Sequence, residues 1–275
     1  MRIRVMSIKI TLIGTGVAIP QPHRVQSGIL VELDKPGKPG KPDEPDELDE
    51  PVRTVLLFDC GSGVLPRIED CTAIRHLFLT HLHLDHVADV MSLIKAKWLC
   101  KSYDLSIYGP TGTSAWLARL FDAYSYMLGR IAIDVVELSD RDRVAIDGIE
   151  GYEIVARATV HALPSLGYGI IDGTGKVRLV YSGDTEPCEG IASISDGADV
   201  LIHECSFPDS VPDVTNHTTP LALGRMLDAI SVGRVILTHL YPHVVGFEDE
   251  MVSVVRKHCG CEVTISCDME TVTID

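Results

Sequence analysis

No apolar run of about 18 or more residues occurs anywhere in the 275-residue chain, which excludes a membrane-spanning helix of the usual length. The start, Met1 to Lys9, carries charges and no clean apolar stretch of signal-peptide length. The expected compartment is therefore the cytoplasm. There is no repeat of about 20 to 50 residues, so a solenoid or propeller is not expected. Positive charge is short: the net charge is −15, of which residues 34–51 account for −4 and the remainder for −11. That balance opposes non-specific nucleic-acid binding. It leaves a nucleic-acid substrate open, because bound metal ions add positive charge at the site itself. A disulfide framework is also missing. The eight cysteines are scattered or, for Cys259, Cys261 and Cys267, grouped without a fourth zinc ligand at a standard spacing. They read as reduced, mostly buried small side chains.

What is present describes a globular chain: 45% hydrophobic and 23% charged residues, long enough to bury a large core without staples. Residues 8–13, 28–33, 54–58, 77–79, 105–108, 154–160, 177–182, 199–202 and 234–238 are rich in branched and apolar side chains and read as strands. Residues 87–99, 113–128, 221–230 and 248–258 read as helices; Leu223, Met226, Leu227 and Ile230 keep the i, i+3, i+4, i+7 spacing. Two strands close the chain. Strands come first in runs and then alternate with helices, which predicts sheets covered by helices in one α/β domain over residues 1–275. Lys35 to Glu50 repeats Lys-Pro-Gly and then turns acidic. Its prolines refuse ladder hydrogen bonds and it has little apolar area to bury. Residues 35–51 are therefore expected to be a mobile, dispensable insertion between two strands.

The chemistry concentrates in His81-Leu82-His83-Leu84-Asp85-His86, where three histidines and an aspartate follow an apolar strand. His81 and His83 are two apart, so an extended chain points both to one side. Imidazole and carboxylate together suit zinc, iron or manganese, with zinc the first expectation. Two first-row metals need about seven to nine ligands including water, so others must come from elsewhere. His161, Asp184 and His239 share one context, an apolar strand followed by a polar residue, and complete a two-metal shell.

The order His-x-His-x-Asp-His, then His161, then Ser182-Gly-Asp-Thr185, then Thr238-His239 resembles the metallo-β-lactamase superfamily over nearly the whole chain. The resemblance implies a four-layer αβ/βα sandwich with two divalent metals at one edge. It implies that His81, His83 and His161 hold one metal, that Asp85, His86 and His239 hold the other, and that Asp184 bridges them. Gly14-Thr-Gly16, Tyr108-Gly-Pro110, His161-Ala-Leu-Pro-Ser-Leu-Gly-Tyr168, His203-Glu-Cys-Ser-Phe207 and His217-Thr-Thr219 are similar to the ribonuclease Z-like phosphodiesterases. In that group the glutamate orients the second histidine near the leaving group, which assigns those roles to Glu204 and His217. A carboxylate-paired histidine can supply a proton near neutral pH.

Two features depart from that group. Only residues 162–183 separate His161 from Asp184, leaving no room for the arm that transfer-RNA-processing members carry there. Their early Pro-x-Lys-x-Arg-Asn loop is replaced by Pro20-Gln-Pro-His-Arg-Val25. A small phosphodiester or nucleotide-like substrate therefore fits better than a large nucleic acid. A hydroxide bridging two metals can attack phosphorus or a carbonyl carbon. Hydrolysis of a carboxylic ester, lactone or thioester is thus the alternative reading, and a metal-holding binding module without turnover is a third. A homodimer is compatible with the sequence. His23 and Arg24 are candidates to meet an anionic substrate and His243 to line the cleft, while His76 and His258 read as structural.

Overall fold

Ile8, Ile10 and Leu12 alternate with Lys9 and Thr11, and this period of two puts all three on one buried face of strand β1 (Ile8–Gly14). The computed structural model describes residues 7–34, 53–146 and 151–275. Strand β2 (Gly28–Asp34) repeats the alternation with Ile29, Val31 and Leu33. With β3 (Arg53–Phe58), β4 (Ile74–Phe78), β5 (Asp104–Pro110), β6 (Ala132–Leu138) and β14 (Glu270–Ile274) they form a sheet in the order β14-β1-β2-β3-β4-β5-β6. Pairing is antiparallel from β14 to β3 and parallel from β3 to β6. The second sheet runs β13-β12-β11-β10-β9-β8-β7. Its members are β7 (Arg143–Ala145), β8 (Tyr152–Ala158), β9 (Leu166–Asp172), β10 (Val177–Tyr181), β11 (Val200–Glu204), β12 (Arg234–Thr238) and β13 (Glu262–Ile265). Here β7 to β10 pair antiparallel and β10 to β13 parallel.

The inner faces meet in one core in which Ile10, Val31 and Phe78 pack with Ile154, Tyr168 and Ile202. Phe78 stacks on Tyr108 at 4.4 Å and meets Tyr168 edge-on at 5.4 Å. Each outer face is covered by helices. Leu57, Leu77 and Ile107 lie under α2 (Val90–Leu99) and α3 (Thr113–Ala123). Leu201, Val235 and Leu237 lie under α4 (Glu189–Ser195), α5 (Pro220–Leu227) and α6 (Glu248–Cys259). The result is the expected four-layer αβ/βα sandwich. Among the described residues no helix is long and apolar enough to cross a membrane.

Some expected elements shift. The helix expected over residues 87–99 is split into α1 (Leu84–Val87) and α2, because the Asp89 carboxylate accepts from the Gly63 and Leu65 amides at 2.9 and 3.0 Å and ties this turn to a neighbouring loop. The helix expected over 113–128 stops at Ala123, followed by a single tight turn and Gly129 at φ 70°. Strand β8 ends at Ala158 rather than 160, since the Thr159 amide turns to the Ser165 carbonyl. The insertion expected at 35–51 lies outside the described residues; β2 and β3 on either side of it are antiparallel neighbours, with Asp34 opposite Arg53.

Candidate metal centre

Parallel strands from both sheets end along one edge, and residues at or just beyond their ends converge there. His81 follows β4, Asp184 follows β10, Glu204 closes β11 and His239 follows β12. His161 reaches the same edge from the loop after β8. Asp85 and His86 lie on the short helix α1. Gly183 sits at φ 58°, and a Cβ there would come within 2.8 Å of Thr80 and 3.1 Å of the Leu166 carbonyl, so the Ser-Gly-Asp turn requires glycine. His239 also takes a positive φ, 55°, which costs a side-chain-bearing residue about 1–2 kcal/mol and is held by the contacts of its neighbours. The Leu240 amide donates to the Thr15 carbonyl, and Ser206 Oγ lies 3.0 Å from the His239 carbonyl.

The seven residues expected as ligands are brought together. His81 Nε2 and His161 Nε2 lie 2.9 and 3.1 Å from His83 Nδ1. Asp184 Oδ2 faces this trio, 3.7 Å from His81 Nε2 and 3.9 Å from His161 Nε2. Asp184 Oδ1 faces the other way, 3.4 Å from His86 Nε2 and 3.3 Å from His239 Nε2. Asp85 Oδ2 completes that second group, 3.5 Å from His239 Nε2.

Hydrogen bonds behind the rings set their tautomers. Asp59, fully buried, accepts from His86 Nδ1 at 2.8 Å, from Tyr181 OH at 2.9 Å and from the Thr80 hydroxyl at 2.9 Å. With its proton given to Asp59, Thr80 Oγ1 is left to accept from His81 Nδ1 at 3.0 Å. The Asn216 carbonyl accepts from His161 Nδ1 at 2.8 Å. Ser206 Oγ donates to Glu204 at 2.7 Å and accepts from His239 Nδ1 at 3.1 Å. Four rings therefore keep their protons on Nδ1 and present bare Nε2 atoms inward. His86 and His239 then oppose two lone pairs at 3.4 Å, beside an Asp184 Oδ1 that is buried without a hydrogen-bond partner. Such an arrangement of donor atoms fits a cation, and the histidine and carboxylate set suits a divalent metal.

Burial and the neighbouring His86 push the His81 imidazole well below its usual range. Burial alone would raise the Asp184 carboxyl, but His239, His86 and His81 outweigh it and hold the group well below the carboxylate range.

Glu204 is fully buried and accepts from His217 Nδ1 at 2.9 Å, from the amides of Thr185 and Thr218 at 3.0 and 3.1 Å, and from Ser206. Burial lowers the His217 imidazole's proton affinity, and the bond to Glu204 more than reverses this. His217 also offers a ring nitrogen within 4.8 Å of ligand atoms of Asp184 and His239. Helix α5 begins at Pro220, and His217 lies in the preceding loop.

The weaker candidates separate. Arg24 donates to Thr15 Oγ1 and the Ser266 carbonyl, so it fastens loops together rather than projecting as a free cation. His243 is exposed on the rim, 5.5 Å from the Phe207 ring. His76 is buried against Tyr108, and His258 pairs with Asp228 at 3.0 Å. Among the described residues no cysteine joins a metal-binding group.

Sequence reasoning missed Asp59, although Leu56-Leu57-Phe58-Asp59 carries the same signal, an apolar strand ending in a polar residue, that marked Asp184 and His239. Since Asp59 fixes the His86 ring, Asp59→Asn should weaken divalent-metal affinity by about 10–100-fold, measured by competition with a chelator. Unchanged affinity would mean that the His86 ring is held without this carboxylate.

Comparison with known proteins gives the same picture. The beta-lactamase superfamily domain matches over residues 54–240. The chain is 27% identical over 288 residues to a ribonuclease Z of Methanosarcina acetivorans, covering 85% of this chain and 87% of the relative. Its fold superposes on the metallo-beta-lactamase fold protein YhfI from Bacillus subtilis with a TM-score of 0.77 at 21% identity, covering 98% of this chain and 100% of that one. Against the short form of human tRNase Z the TM-score is 0.70 at 22% identity, with 97% and 99% covered. Family match, relatives and the histidine–aspartate cluster together support a metal-dependent hydrolase of the phosphodiesterase kind. The chain belongs to the beta-lactamase superfamily.

Proposed function

We propose that the chain hydrolyses small phosphodiesters with two divalent metal ions, zinc first among the candidates. In this reading His81, His83 and His161 hold one ion, and Asp85, His86 and His239 hold the other. The observation that carries it is Asp184, whose two oxygens face separate histidine groups, at 3.7 and 3.9 Å on one side and 3.4 and 3.3 Å on the other. Two ions bound there supply an activated water and neutralise charge on the phosphoryl oxygens.

The remaining work falls to side chains. Glu204 accepts the Nδ1 proton of His217, which fixes the ring and leaves Nε2 as the nitrogen that delivers a proton. The water oxygen bonds to phosphorus and gives up one proton to solvent, the bond from phosphorus to the leaving oxygen breaks, and the Nε2 proton passes to that oxygen. The ring is then neutral with Nδ1–H still held by Glu204, and a solvent proton returns to Nε2. The net change is addition of one water.

A small substrate is proposed although the relatives are named as ribonucleases. The net charge of −15 and the short span between His161 and Asp184 support it. The test is turnover of bis-p-nitrophenyl phosphate, an alkyl nucleotide diester and a thioester by the zinc- and manganese-loaded chain. The diesters should be cleaved in preference to the thioester. The opposite preference would overturn the reading in favour of a carbonyl substrate.

A further inference from the structure

His217 has a second surroundings besides the metal centre. It forms part of the wall of a cavity of about 390 Å³ between the loop over residues 209–215 and the first turn of α5. Val211, Val214 and Leu221 supply apolar wall, and Asp209, Asp213 and Glu186 supply carboxylates; among the described residues no lysine or arginine lines it. Asp209 and Asp213 are exposed. Glu186 is already engaged, accepting from the Asn216 amide at 2.8 Å in the segment that also holds His161.

The placement matters because of what His217 does in the proposed reaction, on which this inference rests. A group that protonates the leaving oxygen lies on the leaving side, and His217 belongs both to that side, with a nitrogen within 4.8 Å of ligand atoms of Asp184 and His239, and to the cavity wall. We infer that this cavity is the leaving-group subsite, and that it selects an alcohol that is uncharged or carries an ammonium group, against one that carries further anionic groups. The apolar wall contacts the carbon skeleton. The carboxylates repel an added phosphate or carboxylate and attract a cation. A polynucleotide fragment brings about one negative charge per nucleotide into the same space, so the cavity disfavours it at the point of cleavage and not only through overall charge.

The test uses the full metal-loaded chain and three methyl phosphodiesters: of choline, of dimethylbutanol, its uncharged isostere, and of glycolate, with release of the alcohol quantified. The wild type should rank them in that order by kcat/KM. In Asp209→Asn/Asp213→Asn the choline-to-glycolate ratio should fall about tenfold, since exposed charges are individually weak and two are removed. Both substitutions suit the backbone. Asparagine can still accept the Leu221 amide that Asp209 accepts at 3.0 Å, and it tolerates the φ of 53° at residue 213. As an independent measure, the wild-type ratio should shrink as salt is raised. A wild type that prefers the glycolate diester, or a ratio untouched by the double substitution and by salt, overturns the subsite. The acetyl esters of the three alcohols separate this from failure of the phosphodiester reading. The same charge ranking on the esters, with no diester cleaved, supports the subsite and sinks the phosphodiesterase. Equal rates within a cleaved diester series do the reverse, and no turnover in either series overturns both.

Discussion

Asp184→Ala should strip the centre of its metals and lower kcat/KM by about a thousandfold or more, because each bound metal contributes several kcal/mol of transition-state stabilisation. Asp184 is 3% exposed and stands between two sets of imidazole nitrogens whose protons are committed behind the rings. Without it, His81, His83 and His161 are cut off from Asp85, His86 and His239, and His86 and His239 face each other's lone pairs with no carboxylate beside them. Asp184→Asn keeps the shape and removes the charge, so it should lose metal as well, to a lesser degree. Elemental analysis beside circular dichroism separates metal loss from unfolding. Near-normal metal content and turnover in the alanine variant would show that Asp184 is not at the heart of the centre.

His217→Ala should keep the metals and slow an alkyl or nucleotide diester by about a hundredfold to ten-thousandfold, the usual effect of removing a positioned acid. A nitrophenyl diester should be slowed less, because nitrophenolate leaves without a proton. Glu204→Ala should follow the same pattern more mildly through His217, although Glu204 also anchors Thr185, Thr218 and Ser206 and its loss loosens those loops. Metal loss in His217→Ala would make His217 a ligand, which its nitrogen within 4.8 Å of Asp184 and His239 ligand atoms makes a real contest. Equal slowing of both substrates would make it a phosphoryl-binding group instead.

Much of the centre was readable in the sequence because the fold marks it twice. Apolar strand residues with period two announce the ladder, and the polar residue that ends each run is the one delivered to the common edge. That signal marked His161, Asp184 and His239 and would have located Asp59. It could not reveal Ser206, whose hydroxyl links Glu204 to His239, because that link joins the ends of β11 and β12 and exists only once these strands pair. Nor could it reveal Asn216, which holds His161 through a carbonyl oxygen and so uses nothing specific to its side chain. Arg24 misled for a related reason. Its charge suggested an anionic partner, yet its guanidinium reaches Thr15 and Ser266, which is 242 positions away. Helix ends were misplaced where a side chain's tertiary partner outweighed local spacing, as when Asp89 serves the loop at residues 63–65.

The measurement closest to the central claim is a zinc titration of the chelator-treated chain, with bound metal and diester turnover followed together. The account predicts two equivalents bound per chain, with full turnover reached only as the second is taken up. Saturation at one equivalent with full turnover would contradict it.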